Sequence, residues 1–310
     1  MPPKAIPPAR DRLQSRWLVW IFVPALCYAC FQAFRYAPAS GGLTAQYRWG
    51  AILIALCFAY AAWRLKAATP FASACGAMVA YLVTVSSSIP DNISVFHSGL
   101  APLFLLFALT FTATRFGQAR ADTAEASESH GGRNAGQIIA NLGIAAWISS
   151  PPGLKFCSMF VILEVSGRNG HRMYVALISI PMLAALAEAT ADTVSSEIGQ
   201  AFGGQPILLT SLRRVPPGTD GAISLKGTLA GIAAAALIAA TGAPALGMSA
   251  TECTVAFAAG VAGLFFDSLL GATLERRGWI GNDFVNFTST AFAAAVALLA
   301  IRFAQPYLLR

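Results

Sequence analysis

The sequence predicts an all-α protein, a polytopic transmembrane helical bundle with about nine spans. Two observations carry this. Hydrophobic residues fill 56% of the 310 positions and charged residues only 11%, where a soluble domain carries about 25% charged; so few charges cannot cover the surface of a soluble body this size. Mean hydropathy is +0.61, and the apolar residues gather in blocks. Several approach the roughly 20 residues that a helix needs to cross about 30 Å of hydrocarbon. Collagen-like, disordered and disulfide-scaffold classes are excluded by 27 Gly, 17 Pro and six scattered Cys.

The elements follow in order. Residues 1–16 hold Lys4, Arg10, Arg12 and Arg16 against Asp11, with several prolines, and read as a disordered basic cytoplasmic tail. The block from Trp17 to Phe34 exceeds the apolar core of a signal peptide, which favours a retained first helix over a cleaved leader. Further blocks run from Ala51 to Trp63, Phe71 to Ser86 and Gly99 to Ala113, completing an N-terminal group of helices over 17–114. The remainder, 115–305, carries blocks from Gln137 to Ser150, Met173 to Ala189, Ala222 to Gly242, Thr254 to Leu274 and Phe284 to Phe303, and between them most of the polar motifs. The stretch from Phe156 to Val165 is apolar but rises only about 15 Å as a helix. It reads as a non-cytoplasmic excursion or a re-entrant turn. Cys27 and Cys30 form a C-x-x-C inside an apolar run without a neighbouring His, which favours packing over a redox or zinc pair.

The net charge of +7 has no basic stripe with interleaved aromatics, so no nucleic-acid partner is expected. Topology explains it better. Counting only Lys and Arg places the tail, Arg64 with Lys66, and Arg115 with Arg120 and Arg133 on one side, and the Asp91-Asn92 loop on the other. The N-terminus is thereby predicted cytoplasmic. The loops 115–136, 190–221 and 275–283 share that face, while Arg168 and Arg172 fall against the charge rule.

P-loop, dinucleotide-binding and zinc-hydrolase motifs are absent, and His97, His130 and His171 are far apart. What remains is acidic and amide residues at the cytoplasmic ends of apolar helices, where ionisable groups cost about 2.5–3.5 kcal/mol each. On a helix, Glu188, Asp192 and Ser195 project from one face, while Glu197 points away unless the helix ends near it. Glu188 and Asp192 repel unless a divalent cation or an Arg lies between them, and hard oxygen ligands suit Mg²⁺. A polar helix end solvated by headgroups is the plainer alternative. The segment Val215 to Ser224, with Pro216, Pro217, Gly218, Thr219, Asp220 and Gly221, follows Arg213 and Arg214 and precedes Lys226. Freed amides, hydroxyls and flanking cations suit phosphate oxygens, although a Pro-Gly turn entering a helix capped by Ser224 gives the same letters. Asp267, Gly271 and Glu275 share a helix face, with Ser268 beside them, and Asn282 and Asn286 return two amides to the same side. Arg133, Asn134, Gln137 and Asn141 open another span; for the amides, hydrogen bonds between helices compete with ligand contact.

These four pieces together resemble the integral membrane family catalogued as domain of unknown function 92. R-N-x-x-Q-x-x-A-N corresponds to Arg133–Asn141, A-D-T-x-x-S-E-I-G to Ala191–Gly199, P-P-G-T-[ND]-G-x-x-S-x-x-G to Pro216–Gly227, and D-S-x-L-G-A to Asp267–Ala272. A more distant similarity is to CTP-dependent phytol and dolichol kinases. The resemblance implies a multi-pass enzyme in the bilayer that transfers a phosphoryl group from a nucleoside triphosphate, CTP by analogy, to a phytyl-like or other isoprenoid phosphate. It implies catalytic roles for Asp192, Glu197 and Asp267, with Mg²⁺ held by Glu188, Asp192 and Asp267. Phosphates would be held by Arg133, Arg213, Arg214 and Lys226, and substrates contacted by Asn134, Gln137, Asn141, Ser196, Gly218, Thr219, Asp220, Gly221, Ser224, Ser268, Asn282 and Asn286. Another enzyme of lipid headgroups, or a non-enzymatic membrane protein or transporter, is the alternative.

Overall fold

A computed structural model describes residues 6–36, 45–86, 97–120, 132–161 and 168–308. The helices are α1 (Pro8–Tyr36), α2 (Ala45–Arg64), α3 (Pro70–Ser86), α4 (Leu100–Arg120), α5 (Ala135–Ile148), α6 (Pro151–Phe160), α7 (Arg168–Phe202), α8 (Leu225–Ala240), α9 (Gly242–Leu246), α10 (Ala250–Leu270) and α11 (Asn282–Leu308). A π-helical turn, Gly271–Glu275, prolongs α10, and two-residue strands β1 (Ile207–Leu208) and β2 (Ala222–Ile223) pair antiparallel before α8. The chain is an all-α multi-pass membrane bundle. All nine expected apolar blocks are helical, but among the described residues only six helices are long and apolar enough to cross a membrane. Trp49–Arg64, Pro70–Val85 and Ala135–Ile148 are shorter; α5, with 14 residues, rises only about 21 Å.

Helix α7 is the axis of the bundle. Its apolar residues face inward all round, as in a helix surrounded by others; Leu177, Ile180, Leu183 and Leu186 are completely enclosed. Helices α4, α5, α8, α10 and α11 pack around it. Small residues set the closeness of that packing. A Cβ on Gly227 or Gly231 of α8 would stand 2.5 Å from the Ser195 carbonyl or 2.7 Å from that of Ala191. Gly227 and Gly231 therefore sit directly on the backbone of Ala191, Ser195 and Gly199, a small-residue seam of the kind that joins membrane helices.

Contacts between the helix ends sort the bundle into two faces. At one, Arg115 Nη2 donates to the Leu65 carbonyl at 3.2 Å, Ala68 bridges Arg133, and Gly221 lies against Ala272. The same face holds the start of α1: Arg10 Nη1 donates to the Gly278 carbonyl at 3.3 Å, and Gln14 both donates to the Trp279 carbonyl at 2.9 Å and accepts from Gly281 N–H at 2.7 Å. The basic stretch expected to be a disordered tail is thus helical from Pro8 onward, because these side chains tie it to the α10–α11 connection. At the opposite face Gly99 N–H donates to the Val83 carbonyl, and Arg302 of α11 donates to that of Phe160.

Helix α6 does not cross. Ser150 caps it, accepting from Gly153 N–H at 3.1 Å, with Pro151 and Pro152 opening its first turn. A Cβ on Gly153 would overlap the Trp147 carbonyl, so the chain turns back on itself there. Because α5 ends and α7 begins at this same face, α6 is an excursion, as its ten residues require. Residues 162–167, the side chains of Arg168 and Arg172, and the Asp91-Asn92 loop lie outside the described residues.

Candidate functional site

Four of the polar sequence elements open onto one cavity of about 1830 Å³. Each arrives on its own helix end. The C-terminal part of α7 supplies Asp192, Ser195, Ser196 and Glu197; the end of α10 and its π turn supply Asp267, Ser268 and Glu275; the start of α11 supplies Asn282 and Asn286; the start of α5 supplies Gln137 and Asn141, preceded by Arg133 and Asn134. The loop Pro217–Ser224 completes the polar wall.

At its centre Asp192 and Asp267 stand with their carboxylates within hydrogen-bonding reach of each other. Ser289 Oγ donates to Asp267 Oδ2 at 3.1 Å. The Arg133 guanidinium is close enough to both Glu197 and Asp192 to feel their charge; burial lowers its pKa, and the two acidic groups oppose that shift. Two carboxylates side by side need positive charge near them, and Arg133 is one source.

The Arg133 backbone is fixed from an unexpected quarter. Its N–H donates to the Ala67 carbonyl at 2.9 Å and its carbonyl accepts from Thr69 N–H at 3.0 Å. Gly132, at φ +75°, approaches so closely that a Cβ would lie 2.7 Å from the Lys66 carbonyl. The turn between α2 and α3 is therefore the clamp for the arginine. Just beyond it, Asn134 Oδ1 accepts from Gln137 N–H at 3.1 Å, and Asn134 N–H donates to Gln137 Oε1 at 2.9 Å. This is a capping box. Asn141 Nδ2 donates back to the Gln137 carbonyl at 2.8 Å. These bonds hold the amides on their own helix while Asn134, Gln137 and Asn141 line the cavity.

The Pro-Gly loop is shaped by two left-handed glycines with different surroundings. Gly218 (φ +80°) has nothing within 4 Å of a would-be Cβ, whereas at Gly221 (φ +68°) a Cβ would collide with the Ala272 backbone and stand 2.5 Å from the Ser268 carbonyl. Gly221 thus seats the loop on the end of α10. Thr219 Oγ1 donates to the Pro216 carbonyl at 2.7 Å, and Ser224 caps α8, accepting from Gly227 N–H at 3.2 Å. Burial on the cavity side pushes the Asp220 carboxyl upward, with Arg276 opposing.

Four expected site residues stand elsewhere. Arg213, Arg214 and Lys226 are exposed and do not line the cavity. The first two lie on the return of a tight turn after β1, where Leu208 N–H donates to the Arg213 carbonyl at 2.9 Å and Arg214 bridges Ile207; Arg214 Nη1 also donates to Gln205 Oε1 at 3.4 Å, so the pair is held beside β1 before the Pro-Gly loop begins. Glu188 is 1% exposed and lies one turn deeper than Asp192, packed on Gly263. Its two oxygens are buried without a hydrogen-bond partner, and the nearby Ser289 hydroxyl is given to Asp267. Among the described residues no three acidic, His or Cys side chains form a group able to hold a metal unaided, so Glu188, Asp192 and Asp267 do not make the expected three-carboxylate set. Glu197 does reach the cavity although α7 continues to Phe202. It leans toward Gly117 of α4, since the cavity extends around that side of α7.

Two cavity cations, Lys66 and Arg115, belong to no sequence motif and bear in the sequence only on topology. Arg115 lies over the Phe111 ring, 5.0 Å from its centroid.

No solved structure matches the chain. An uncharacterised membrane protein of Methanocaldococcus jannaschii is 39% identical over 142 residues, 46% of this chain and 56% of that protein. The chloroplastic protein VTE6 of Arabidopsis thaliana is 28% identical over 207 residues, 64% of this chain and 59% of that protein. An uncharacterised membrane protein of Synechocystis is 28% identical over 201 residues, 64% of this chain and 72% of that protein. The chain thus spans a little over half the length of the first two. The family described as "Integral membrane protein DUF92" matches residues 53–294, which include the α2–α3 clamp, the carboxylate pair and the Pro-Gly loop, and the chain belongs to that family.

Proposed function

We propose that the protein is a membrane-embedded lipid-phosphate kinase. It transfers the terminal phosphoryl group of a nucleoside triphosphate, with CTP the donor by analogy, to a phytyl-like isoprenoid monophosphate at the cytoplasmic face of the bilayer. The observation that carries this reading is the convergence of Asp192, Asp267, Arg133 and the Pro-Gly loop on one cavity at the basic end of the bundle.

The chemistry asks little covalent work of the protein. An ionised phosphate oxygen of the acceptor attacks the terminal phosphorus, a new P–O bond forms, the bridging P–O bond to the leaving nucleoside diphosphate breaks, and a lipid diphosphate results. Catalysis is then alignment and charge neutralisation. Arg133, Lys66 and Arg115 surround the cavity with positive charge, and the N-termini of α5 and α8, capped by Asn134 and Ser224, add partial positive charge suited to phosphate oxygens. Asn282 and Asn286 offer amide donors.

Mg²⁺ fits the donor set. It is ordinarily held by one or two carboxylates together with substrate phosphates, so the Asp192–Asp267 pair is sufficient without a third acid. When bound, Mg²⁺ would supply charge neutralisation for the triphosphate. Glu197 would orient Arg133, and Ser289 would orient Asp267.

The test is incubation of the purified protein in lipid nanodiscs with radiolabelled CTP or ATP, with and without Mg²⁺, and phytyl, farnesyl or geranylgeranyl monophosphate. The expected result is a labelled isoprenoid diphosphate that chelation of Mg²⁺ abolishes. Absence of product with every donor and acceptor pair would overturn the reading.

A further inference from the structure

The cavity continues past its polar end into a cleft that the chemistry above does not use. Helices α2 and α3 pack on each other, and α4 packs on α7. Between these two pairs the cavity is lined by Phe58 and Ala62 of α2, Gly76 of α3, and Leu103, Phe107 and Phe111 of α4. We propose that this cleft holds the hydrocarbon chain of an isoprenoid monophosphate, with the phosphate at Arg115, Lys66 and Arg133. The identity of the headgroup rests on the kinase reading; the cleft itself does not.

Three observations support it. The first is an unbroken aromatic wall. Phe58 meets Phe107 edge to face at 5.3 Å, Phe107 stacks on Phe111 at 5.7 Å, and Arg115 lies over Phe111 at 5.0 Å. An apolar surface thus runs up to a cation, complementary to an amphiphile with one anionic end. From Leu103 to Arg115 this strip extends roughly 18 Å along α4 by helix rise, room for a chain of several isoprene units. The second is space. An added Cβ at Gly76 meets nothing within 4 Å, in a helix that packs on α1, α2 and α5. The third is Ser73, one turn before Gly76, which lines the cavity with a buried hydroxyl that has no hydrogen-bond partner. A buried polar atom left unpaired is costly, and a headgroup oxygen at the mouth of the cleft would satisfy it. The cations favour a terminal phosphate, which carries up to two charges, over the singly charged diester of a bulk phospholipid.

The full-length protein in nanodiscs tests this in two ways. Photolabelling with a diazirine-bearing geranylgeranyl monophosphate analogue needs no turnover. Label should appear on α2 and α4 around Phe58, Leu103 and Phe107, and be competed by geranylgeranyl monophosphate. Label elsewhere, or label competed only by bulk phospholipid, overturns the proposal. Kinetics of Gly76→Leu, which fills the space beside α3, give the second readout. KM for geranylgeranyl monophosphate should rise at least about tenfold, while that for isopentenyl monophosphate stays within about twofold. Equal effects on the long and short acceptors, or no effect on either, overturn it. Should Gly76→Leu fail to fold, the wild-type photolabelling still decides. Should the wild type turn over no acceptor, the kinase reading fails while the labelling pattern still rules on the cleft.

Discussion

Asp192 and Asp267 meet carboxylate to carboxylate, an arrangement that favours binding a cation over stability of the empty protein. Replacing either by Asn removes one charge and keeps the shape. Asp192→Asn and Asp267→Asn should therefore leave the thermal unfolding midpoint unchanged or slightly raised, while turnover falls by about 10²-fold or more; a large loss of midpoint would mark the pair as structural. Arg133 invites the complementary test. Lys keeps the charge but not the planar fork, so Arg133→Lys should lower turnover markedly, while Arg213→Ala, Arg214→Ala and Lys226→Ala, on exposed side chains away from the cavity, should stay close to wild type in the same assay. The contrast shows what was legible in the sequence at this scale. Carboxylates near the ends of apolar helices announce themselves because they are costly there, and both cavity aspartates were visible. Cations are common in loops and carry no such mark. Lys66 and Arg115 thus bear in the sequence only on topology, while the three exposed cations beside the Pro-Gly loop resemble phosphate ligands by their place in the sequence.

Several motif letters are explained by how elements meet. Ser195, Gly199 and Gly227 form the α7–α8 seam, Gly221 docks against Ala272, and Asn134 with Gln137 caps α5. The N-x-x-Q spacing is itself a helix-start signal, readable without the structure. The seam and the Gly221 dock were not readable, because they depend on which backbone comes within reach of which. The Pro-Gly loop offers an internal control for the docking argument. Gly218 and Gly221 share a left-handed backbone, so an Ala at either meets a conformational cost of about 1–2 kcal/mol. Only at Gly221 does the new methyl also strike the α10 backbone. Gly218→Ala should accordingly give a small drop in unfolding midpoint with turnover largely retained. Gly221→Ala should give a larger drop and a loss of turnover, because the loop must lift away from Asp267. Equal behaviour of the two variants in thermal unfolding and initial-rate measurements would remove the docking role assigned to Gly221.

Over the whole molecule, the apolar blocks made the all-α membrane architecture readable, whereas the number of spans was not, because block length does not tell a short helix inside the bundle from one that crosses. Basic residues indicate how the bundle sits. Arg10, Arg64, Lys66, Arg115 and Arg276 gather on the face that carries the cavity, while Arg35, Lys155 and Arg302 lie at the other. By the bias of Lys and Arg toward the cytoplasm, the cavity is expected to face inward, the side on which the proposed reaction would find nucleoside triphosphates. Single cysteines in a background free of the six native ones test this directly. Lys226→Cys on the cavity face should react with a membrane-impermeant maleimide only after the membrane is opened, and Ser158→Cys on α6 should react in intact cells. Because α7 ends and α8 begins at this face, a cysteine at Gln200, near the end of α7, should behave like the one at 226. If Lys226→Cys and Gln200→Cys labelled on opposite sides, α7 and α8 could not be the antiparallel pair joined by Gly227 and Gly231, and the cavity at their shared end would not form.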